Sequence, residues 1–310
     1  MRNAAIQTLA ALIEEGCDIH FFTGDLGFKV LDDLRTRHPR RFTNAGVSEA
    51  NMVSVAAGLA ATGKRVFCYS MAPFVFLRAF EQVRLDLCAQ HLPVTLIGVG
   101  GGLSYGCEGP SHYAIEDLAV ARSLPGLTVY CPGDPHECRA AVRAAAQAPG
   151  PVYLRLGKNN DPAVHAGPVT EISRLLPIIH GAPDVCVLAT GHILHAAAEA
   201  ARAPAPDGPA VRLFSAPALK PFDEPGLRAA AAGARAIATI EEHSVVGGLG
   251  SLVAECLFGW GYRGRFLKIG LPDEFCNVVG DHDHLRRHYG LDAPGLARRL
   301  RQFLQEGESR

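Results

Sequence analysis

The sequence predicts an α/β fold with two domains, each a mostly parallel sheet flanked by helices. The chain has 310 residues, which is about twice the length of an average domain. Short apolar runs rich in β-formers alternate with longer Ala- and Leu-rich stretches of helical spacing. Residues 157–183, rich in Gly, Pro, Asn and Asp, separate two such series. This alternation is typical of parallel sheets covered by helices.

The first series of strands predicts a domain over residues 1–165. Its apolar runs are short and end at Gly, Pro or Asp, as buried strands commonly do. The strands are predicted at 19–23, 65–70, 94–100, 127–131 and 152–156. Between them, residues 48–63 and 134–147 show helical apolar spacing.

The second series follows a predicted linker over 166–183 and defines a second domain over 184–310. We expect the last residues, 306–310, to fray. Its strands and helices are predicted at 185–190, 192–202, 211–216, 224–233, 236–242, 247–259, 265–270 and 293–305.

The composition excludes several classes of protein. Thirty Lys and Arg balance 31 Asp and Glu, so the basic excess of a nucleic-acid-binding protein is absent. No apolar run reaches the ~20 residues of a membrane span. Nine cysteines, an odd number without any Cys-x-x-Cys pair, indicate reduced core thiols in a cytoplasmic protein. Zinc sites usually carry closely paired ligands, so we expect no metal ligand in this chain.

Four glycines at 98 and 100–102 follow a predicted strand. The pattern is neither G-x-G-x-x-G nor a P-loop, which argues against a nucleotide loop. A close turn at the strand end is the favoured interpretation. A backbone loop beside a ligand, at the carboxyl end of a strand, is the alternative.

Three segments carry candidate chemistry. In the first, Ser48 is a plausible N-cap and Glu49 begins a helix, where a carboxylate is also common for dipole reasons alone. The second places Phe74, Phe76 and Phe80 near Arg78 and Glu81, either as core or as an aromatic wall for a flat heterocycle. The third, the polar loop Glu108-Gly-Pro-Ser-His112, exposes an acid and an imidazole near a strand end.

These segments in this order resemble the transketolase-like thiamine diphosphate enzymes. The motifs are the SEA at Glu49, RAFEQ, GCEGPSH, EDLAVARSLPGLTVYCPGD and YLRLGK, then TIEEH (239–243) and GGLGSLVAE (247–255). The similarity covers the pyrimidine-binding domain and the C-terminal domain of that group. The group includes transketolases, deoxyxylulose-phosphate synthases and β subunits of 2-oxo-acid dehydrogenases. The resemblance therefore implies a thiamine diphosphate-binding fold.

The resemblance implies roles for the candidate residues. Glu49 matches the glutamate that hydrogen-bonds the cofactor's pyrimidine N1′, which lets the 4′-nitrogen take the thiazolium C2 proton. Phe74, with Phe76 and Phe80 less well aligned, matches the pocket for the aminopyrimidine ring. His112 matches a histidine that contacts sugar hydroxyls and assists proton transfer. Glu108 stands where sugar-transferring members usually have aspartate, which puts the acceptor-hydroxyl contact in doubt.

Other positions match contacts to phosphate or cofactor. Arg155 corresponds to an arginine that binds the sugar phosphate, although a pair with a carboxylate is the alternative for this residue. Arg2 and Lys29 fall near two further phosphate contacts, Lys29 replacing an uncharged residue. Asp25 matches an acid near the cofactor. A histidine that many transketolases carry after strand 94–100 is replaced here by GVGGG.

The family's diphosphate and Mg²⁺ motif is missing from this chain. That motif is G-D-G followed by Asn, whereas Gly24-Asp25 precedes Leu and Gly133-Asp134 precedes Pro. The resemblance then implies a split enzyme, in which an N-terminal transketolase-like partner chain holds the diphosphate and Mg²⁺. We expect an obligate heteromer of α2β2 type that is active on sugar phosphates only as a complex.

Two alternatives stay open. A deoxyxylulose-phosphate synthase-like or 2-oxo-acid dehydrogenase β-like subunit would share Glu49 and the fold, and would act on pyruvate or another 2-oxo acid. A non-catalytic assembly subunit would need neither Glu49 nor His112, so the presence of both argues against it.

Overall fold

The computed structural model describes residues 1–158, 161–181, 185–203 and 211–305. Parts of the predicted linker, 182–183, and the predicted frayed end, 306–310, lie outside these residues. Within the described residues, no helix combines the length and the apolar character that crossing a bilayer requires.

A seven-stranded sheet organises the first half of the chain. Its spatial order is β10-β5-β6-β4-β3-β1-β2, and all neighbours are parallel except β10 and β5. Its strands are β1 (Ile19–Thr23), β2 (Phe42–Asn44), β3 (Arg65–Met71), β4 (Val94–Val99), β5 (Thr128–Tyr130), β6 (Val152–Leu156) and β10 (Ala218–Lys220).

A five-stranded sheet organises the second half, in the order β12-β11-β8-β9-β7. Only the pair of β7 and β9 is antiparallel among the strands of this described sheet. Its strands are β7 (Leu176–Ile179), β8 (Val185–Thr190), β9 (Val211–Ser215), β11 (Ala236–Ser244) and β12 (Arg265–Leu271).

Helices cover the sheets, as the alternation of apolar patterns predicts. All residues of β4, β6, β8 and β11 are buried, as expected for central strands of parallel sheets. The helices are α1 (Arg2–Glu14), α2 (Asp32–Arg37), α3 (Glu49–Ala60), α4 (Phe80–Gln82), α5 (Asp117–Ser123), α6 (Pro135–Gln147), α7 (Leu194–Arg202), α8 (Glu224–Ala230), α9 (Leu249–Gly259), α10 (His282–His288) and α11 (Ala293–Gln305).

Two strands do not follow the predicted division of the chain into two domains. Strand β7 lies inside the predicted linker, yet it pairs with β9 of the second sheet. Strand β10 comes from the second half of the chain, yet it pairs with β5 and forms an edge of the first sheet. Sequence patterns find buried central strands more easily than such short edge strands, because three or four residues are too few to show a periodic pattern.

The topology brings the candidate segments together. Strands β1, β3, β4 and β6 are neighbours and parallel, so the loops that follow them lie at one edge of the sheet. In open α/β sheets this carboxyl edge is where ligands bind. Strand β3 leads directly into a π-helical segment, Pro73–Arg78, a departure from α geometry that is frequent at functional sites.

Candidate active site at the carboxyl edge of the first sheet

Glu49 is a buried carboxylate at the start of α3. Its side chain is 1% exposed, and the Ser70 hydroxyl at the end of β3 donates to its Oε1 at 2.8 Å. Ser48 occupies the N-cap position but makes no side-chain cap bond; its hydroxyl donates to the Ala45 carbonyl. Gly24 passes so close that a Cβ there would lie 3.2 Å from Glu49 Oε1. The carboxylate is therefore held tightly between β1, β3 and α3.

Arg78 covers the solvent side of Glu49. Its Nη1 donates to Glu49 Oε2 at 3.0 Å, and its guanidinium carbon lies 4.0 Å from the centre of the Phe74 ring. The side chain is 48% exposed, whereas Glu49 is not. Arg78 thus links the buried acid to an accessible aromatic face, and the sequence did not indicate this contact.

His112 adjoins the same aromatic ring. The Phe74 and His112 rings meet edge to face with centroids 5.3 Å apart, and the centroid of the Tyr105 ring lies 5.8 Å from that of the imidazole. The Ser111 hydroxyl is 3.0 Å from His112 Nδ1. Arg78, Phe74 and His112 therefore form one continuous surface over the buried Glu49, which we call the Glu49–His112 surface.

Glu108 opens onto a neighbouring cavity of about 390 Å³. Lys158, directly after β6 and one glycine, lines it too, and its ammonium group lies 4.3 Å over the Tyr105 ring. The other lining residues are Ser104, Gly106, Cys107, Asp281, His282 and Asp283. Glu108 and Lys158 thus line the same cavity, and the Tyr105 ring beneath the Lys158 ammonium also adjoins His112. The position of Lys158 just beyond a strand end is the signal that could have found it.

Arg155 does not face this cavity, and the phosphate prediction for it is wrong. The side chain is 1% exposed, and its Nε donates to Asp117 Oδ2 at 2.9 Å. Its Nη2 donates to the carbonyls of Ala114 and Glu242. It is the penultimate residue of β6, in which every residue is buried, and these contacts enclose its guanidinium. The structure has the alternative, a pair of Arg155 with a carboxylate, and the bond from Arg155 to the Glu242 carbonyl joins the two halves of the chain.

Phe76 is a core residue, so its assignment to the cofactor pocket is also wrong. It is fully buried and stacks on Tyr153 at 4.5 Å between ring centroids. Phe80 meets the edge of Phe76 at 6.2 Å and packs against the same core. The π-helical turn therefore sends Phe74 to the surface and its neighbours inward.

Asp25, Lys29 and Arg2 lie around this region without forming a common cluster. Asp25 is exposed beside Gly24, and the Asn44 amide donates to its carboxylate at 2.8 Å. Lys29 is exposed, with a left-handed backbone at φ 67°. Arg2 is half-buried near Tyr105, where burial raises the pKa of the phenol and the positive charge of Arg2 opposes that rise.

Comparison with known families matches both halves of the chain. Residues 1–162 match the family described as transketolase, pyrimidine binding domain, and residues 176–296 match transketolase, C-terminal domain. The chain therefore belongs to the transketolase family, whose enzymes depend on thiamine diphosphate. The predicted family and the predicted α/β fold class are confirmed.

Several similar proteins are subunits of split transketolases. The chain is 34% identical to an apulose-4-phosphate transketolase subunit from Phocaeicola vulgatus, over 98% of this chain and 97% of that subunit. A solved split-gene transketolase, described as an inactive beta4 tetramer, superposes with a TM-score of 0.86 at 36% identity, covering 98% and 97% of the chains. The chain is also 38% identical to 1-deoxy-D-xylulose-5-phosphate synthase from an Anaeromyxobacter species, over 89% of this chain but 44% of that enzyme. The prediction of a transferase subunit of a split transketolase is confirmed at this level.

Proposed function

We propose that this chain is the smaller subunit of a split transketolase that transfers a two-carbon ketol unit from a ketose to an aldose. The observation that carries the proposal is the Glu49–His112 surface, where a buried carboxylate, an accessible aromatic face and an imidazole adjoin. A subunit with a purely structural role has no need of this combination of groups. The relatives of split type support the same assignment.

The residues present fit the pyrimidine end of thiamine diphosphate. Glu49 is buried and immobilised by Ser70, so its carboxyl group is positioned to share a proton with a ring nitrogen. The Arg78 guanidinium, itself flat, lies over Phe74 and bonds Glu49. An aminopyrimidine that uses the same ring face and the same carboxylate must displace it. When bound, the cofactor supplies a thiazolium carbon that stabilises the carbanion of the transferred unit.

Substrate contacts are proposed beside the cofactor. His112 is exposed enough to exchange protons with a sugar hydroxyl, and Glu108 in the adjacent cavity accepts hydrogen bonds from another. For a phosphorylated substrate, Lys158 is the proposed phosphate contact in place of Arg155, because its ammonium group lines the Glu108 cavity. Arg2, near Tyr105, adds positive charge to the same region.

The remaining parts of the enzyme are assigned to a partner. An N-terminal transketolase-like chain would hold the diphosphate and Mg²⁺, since the G-D-G motif is missing here. We propose an α2β2 complex in the cytoplasm. Asp25, whose loop adjoins Glu49, would then face the cofactor from this chain.

A second candidate function is a synthase that condenses a 2-oxo acid with an aldose phosphate. The 38% identity to a deoxyxylulose-phosphate synthase favours it over a dehydrogenase. The two candidates differ in one product, because a decarboxylating synthase releases CO₂ from pyruvate and a transketolase releases none from a ketose.

The test is thiamine diphosphate and Mg²⁺ binding by calorimetry, with and without the partner chain, followed by turnover of the complex. We expect tight binding only in the mixture, and ketol transfer without CO₂ release. Glu49→Gln should lower turnover by about 100-fold or more. Glu81→Gln, which alters an exposed glutamate paired with Arg84 at the surface, is the matched control and should leave turnover unchanged.

Three other results would each point to a different assignment. Unchanged turnover of Glu49→Gln would remove the catalytic assignment and favour an assembly subunit. Tight binding to this chain alone would place a diphosphate site within it. CO₂ release from pyruvate would favour the synthase.

A further inference from the structure

We propose that His192, Glu242 and His282 form a binding site for a divalent transition metal ion, with Zn²⁺ as the best match. Glu242 Oε1 lies 3.1 Å from His192 Nε2 and 2.8 Å from His282 Nε2. One ligand atom from each residue lies within 4.8 Å of the other two. The three come from separate elements, namely the turn after β8, strand β11 and the first residue of α10. The sequence predicted no metal ligand because these residues are far apart along the chain.

Two imidazoles and one carboxylate are a ligand set that binds zinc in catalytic sites. Zinc ligands lie at about 2.0–2.2 Å from the ion, so in a tetrahedron they stand about 3.3 Å apart. The observed separations of the carboxylate oxygen from the two imidazole nitrogens need widen by only a few tenths of an ångström.

The carboxylate is fixed by groups that do not compete for the ion. Arg286 Nε donates to Glu242 Oε2 at 2.6 Å, on the oxygen away from the imidazoles. The Leu103 amide donates to Oε1 at 2.8 Å and leaves that oxygen its second lone pair. Such outer contacts orient metal ligands and raise affinity.

A cavity that can hold a fourth ligand adjoins the cluster. His192 and His282 both line a cavity of about 420 Å³ next to the cluster. Four acidic side chains line that cavity as well, and they would offset the combined charge of the ion and Arg286: Asp161, Glu199, Asp283 and Asp292. An ion with three protein ligands and one open position would hold a water molecule or a small anion there.

The site would also tie the two domains together. Glu242 belongs to the second sheet, whereas Leu103 follows β4 of the first. A Cβ at Gly102 would lie 2.5 Å from Glu242 Oε1, so the loop is pressed against the cluster. The same loop continues to Ser104, Tyr105 and Glu108 of the proposed substrate cavity. Bound metal would therefore hold this loop in place, and with it one wall of the proposed substrate cavity, whichever substrate the cavity binds.

The test is a zinc titration of the full chain, first stripped with a chelator, against a competing chromophoric chelator. We expect one equivalent to bind, and His192→Ala and His282→Ala each to weaken binding by more than about 100-fold. His284→Ala, an exposed histidine on the same helix, is the matched control and should bind as wild type does. Zinc should also raise the melting temperature of wild type and of His284→Ala, and leave that of His282→Ala unchanged.

Either of two results would overturn the site. One is wild-type affinity in both His192→Ala and His282→Ala, which would place the ion elsewhere. The other is the absence of stoichiometric binding by wild type at micromolar zinc. Because His282 is partly exposed, its alanine variant decides the matter even if His192→Ala fails to fold. Neither result depends on activity, so failure of the metal site and failure of the proposed reaction are distinguishable.

Discussion

Arg155→Ala separates a structural role of this arginine from substrate binding. In the folded protein the guanidinium donates to the Asp117 carboxylate and to two carbonyls, one of them in the second sheet. Removing it leaves the buried Asp117 carboxylate with the Tyr153 hydroxyl as a neutral side-chain donor. A buried charge that loses its partner costs about 3–5 kcal/mol. That is a large share of the roughly 5–15 kcal/mol that typically stabilises a folded protein.

The assay is urea unfolding of the full chain followed by circular dichroism. We expect the free energy of unfolding to fall by about 3–5 kcal/mol. Arg143→Ala is the matched control, because Arg143 pairs with Glu15 at the surface, where water screens the pair. It should leave the unfolding midpoint nearly unchanged.

A structural role of Arg155 is refuted if Arg155→Ala unfolds at the same urea concentration as Arg143→Ala. It is also refuted if Arg155→Ala keeps its stability but selectively raises the KM of the complex for a phosphorylated substrate. That second result would restore the phosphate contact. Asp117→Asn should resemble Arg155→Ala in stability, because it breaks the same pair from the other side.

Three further predictions concern the remaining sites. Phe74→Ala should weaken thiamine diphosphate binding to the complex, measured by calorimetry, with little loss of stability. Phe76→Ala should instead lower the free energy of unfolding by about 3–5 kcal/mol. The reverse pattern would make Phe76 the cofactor contact and Phe74 the core residue. Lys158→Ala should raise the KM of the complex for a phosphorylated aldose but not for its unphosphorylated analogue, and equal effects on both would exclude a phosphate contact. Burial raises the pKa of Glu241 from 4.5 to about 7, so between these values this carboxyl group is protonated to a greater extent in the folded than in the unfolded chain, and its own contribution to stability rises as the pH falls. Melting curves of Glu241→Gln against wild type should lose this part of the pH dependence; an unchanged slope would assign it to other groups.

Much of the fold could be predicted from the sequence. The strands predicted at 19–23, 152–156 and 185–190 begin and end at those residues in the structure. These strands are largely buried on both faces, so their residues are mostly apolar, and that signal is local. Helix α11 likewise spans the predicted range, 293–305, because its apolar residues recur at helical spacing.

Part of the candidate site is also readable from the sequence. Ordered motifs contain Glu49, His112 and Glu108, and Phe74 stands in the Phe-rich stretch just before RAFEQ. The structure brings Glu49, Phe74 and His112 together and places Glu108 at the adjoining cavity. Their roles in catalysis stay predictions. The motifs do not indicate that Arg78 covers Glu49, because that contact depends on the π-helical turn.

The sequence by itself determined the buried central strands, the family and the residue types that bear the chemistry, because these depend on local pattern and on motifs within short stretches. Tertiary structure alone decided which side chains face inward. Arg155 and Lys158 lie three residues apart, yet one is sealed in β6 and the other lines a cavity. Likewise, His192, Glu242 and His282 meet only because the strand order places the ends of β8 and β11 side by side, with the start of α10 packed against them. Burial and long-range contact arise from packing between distant segments, which a local pattern does not encode.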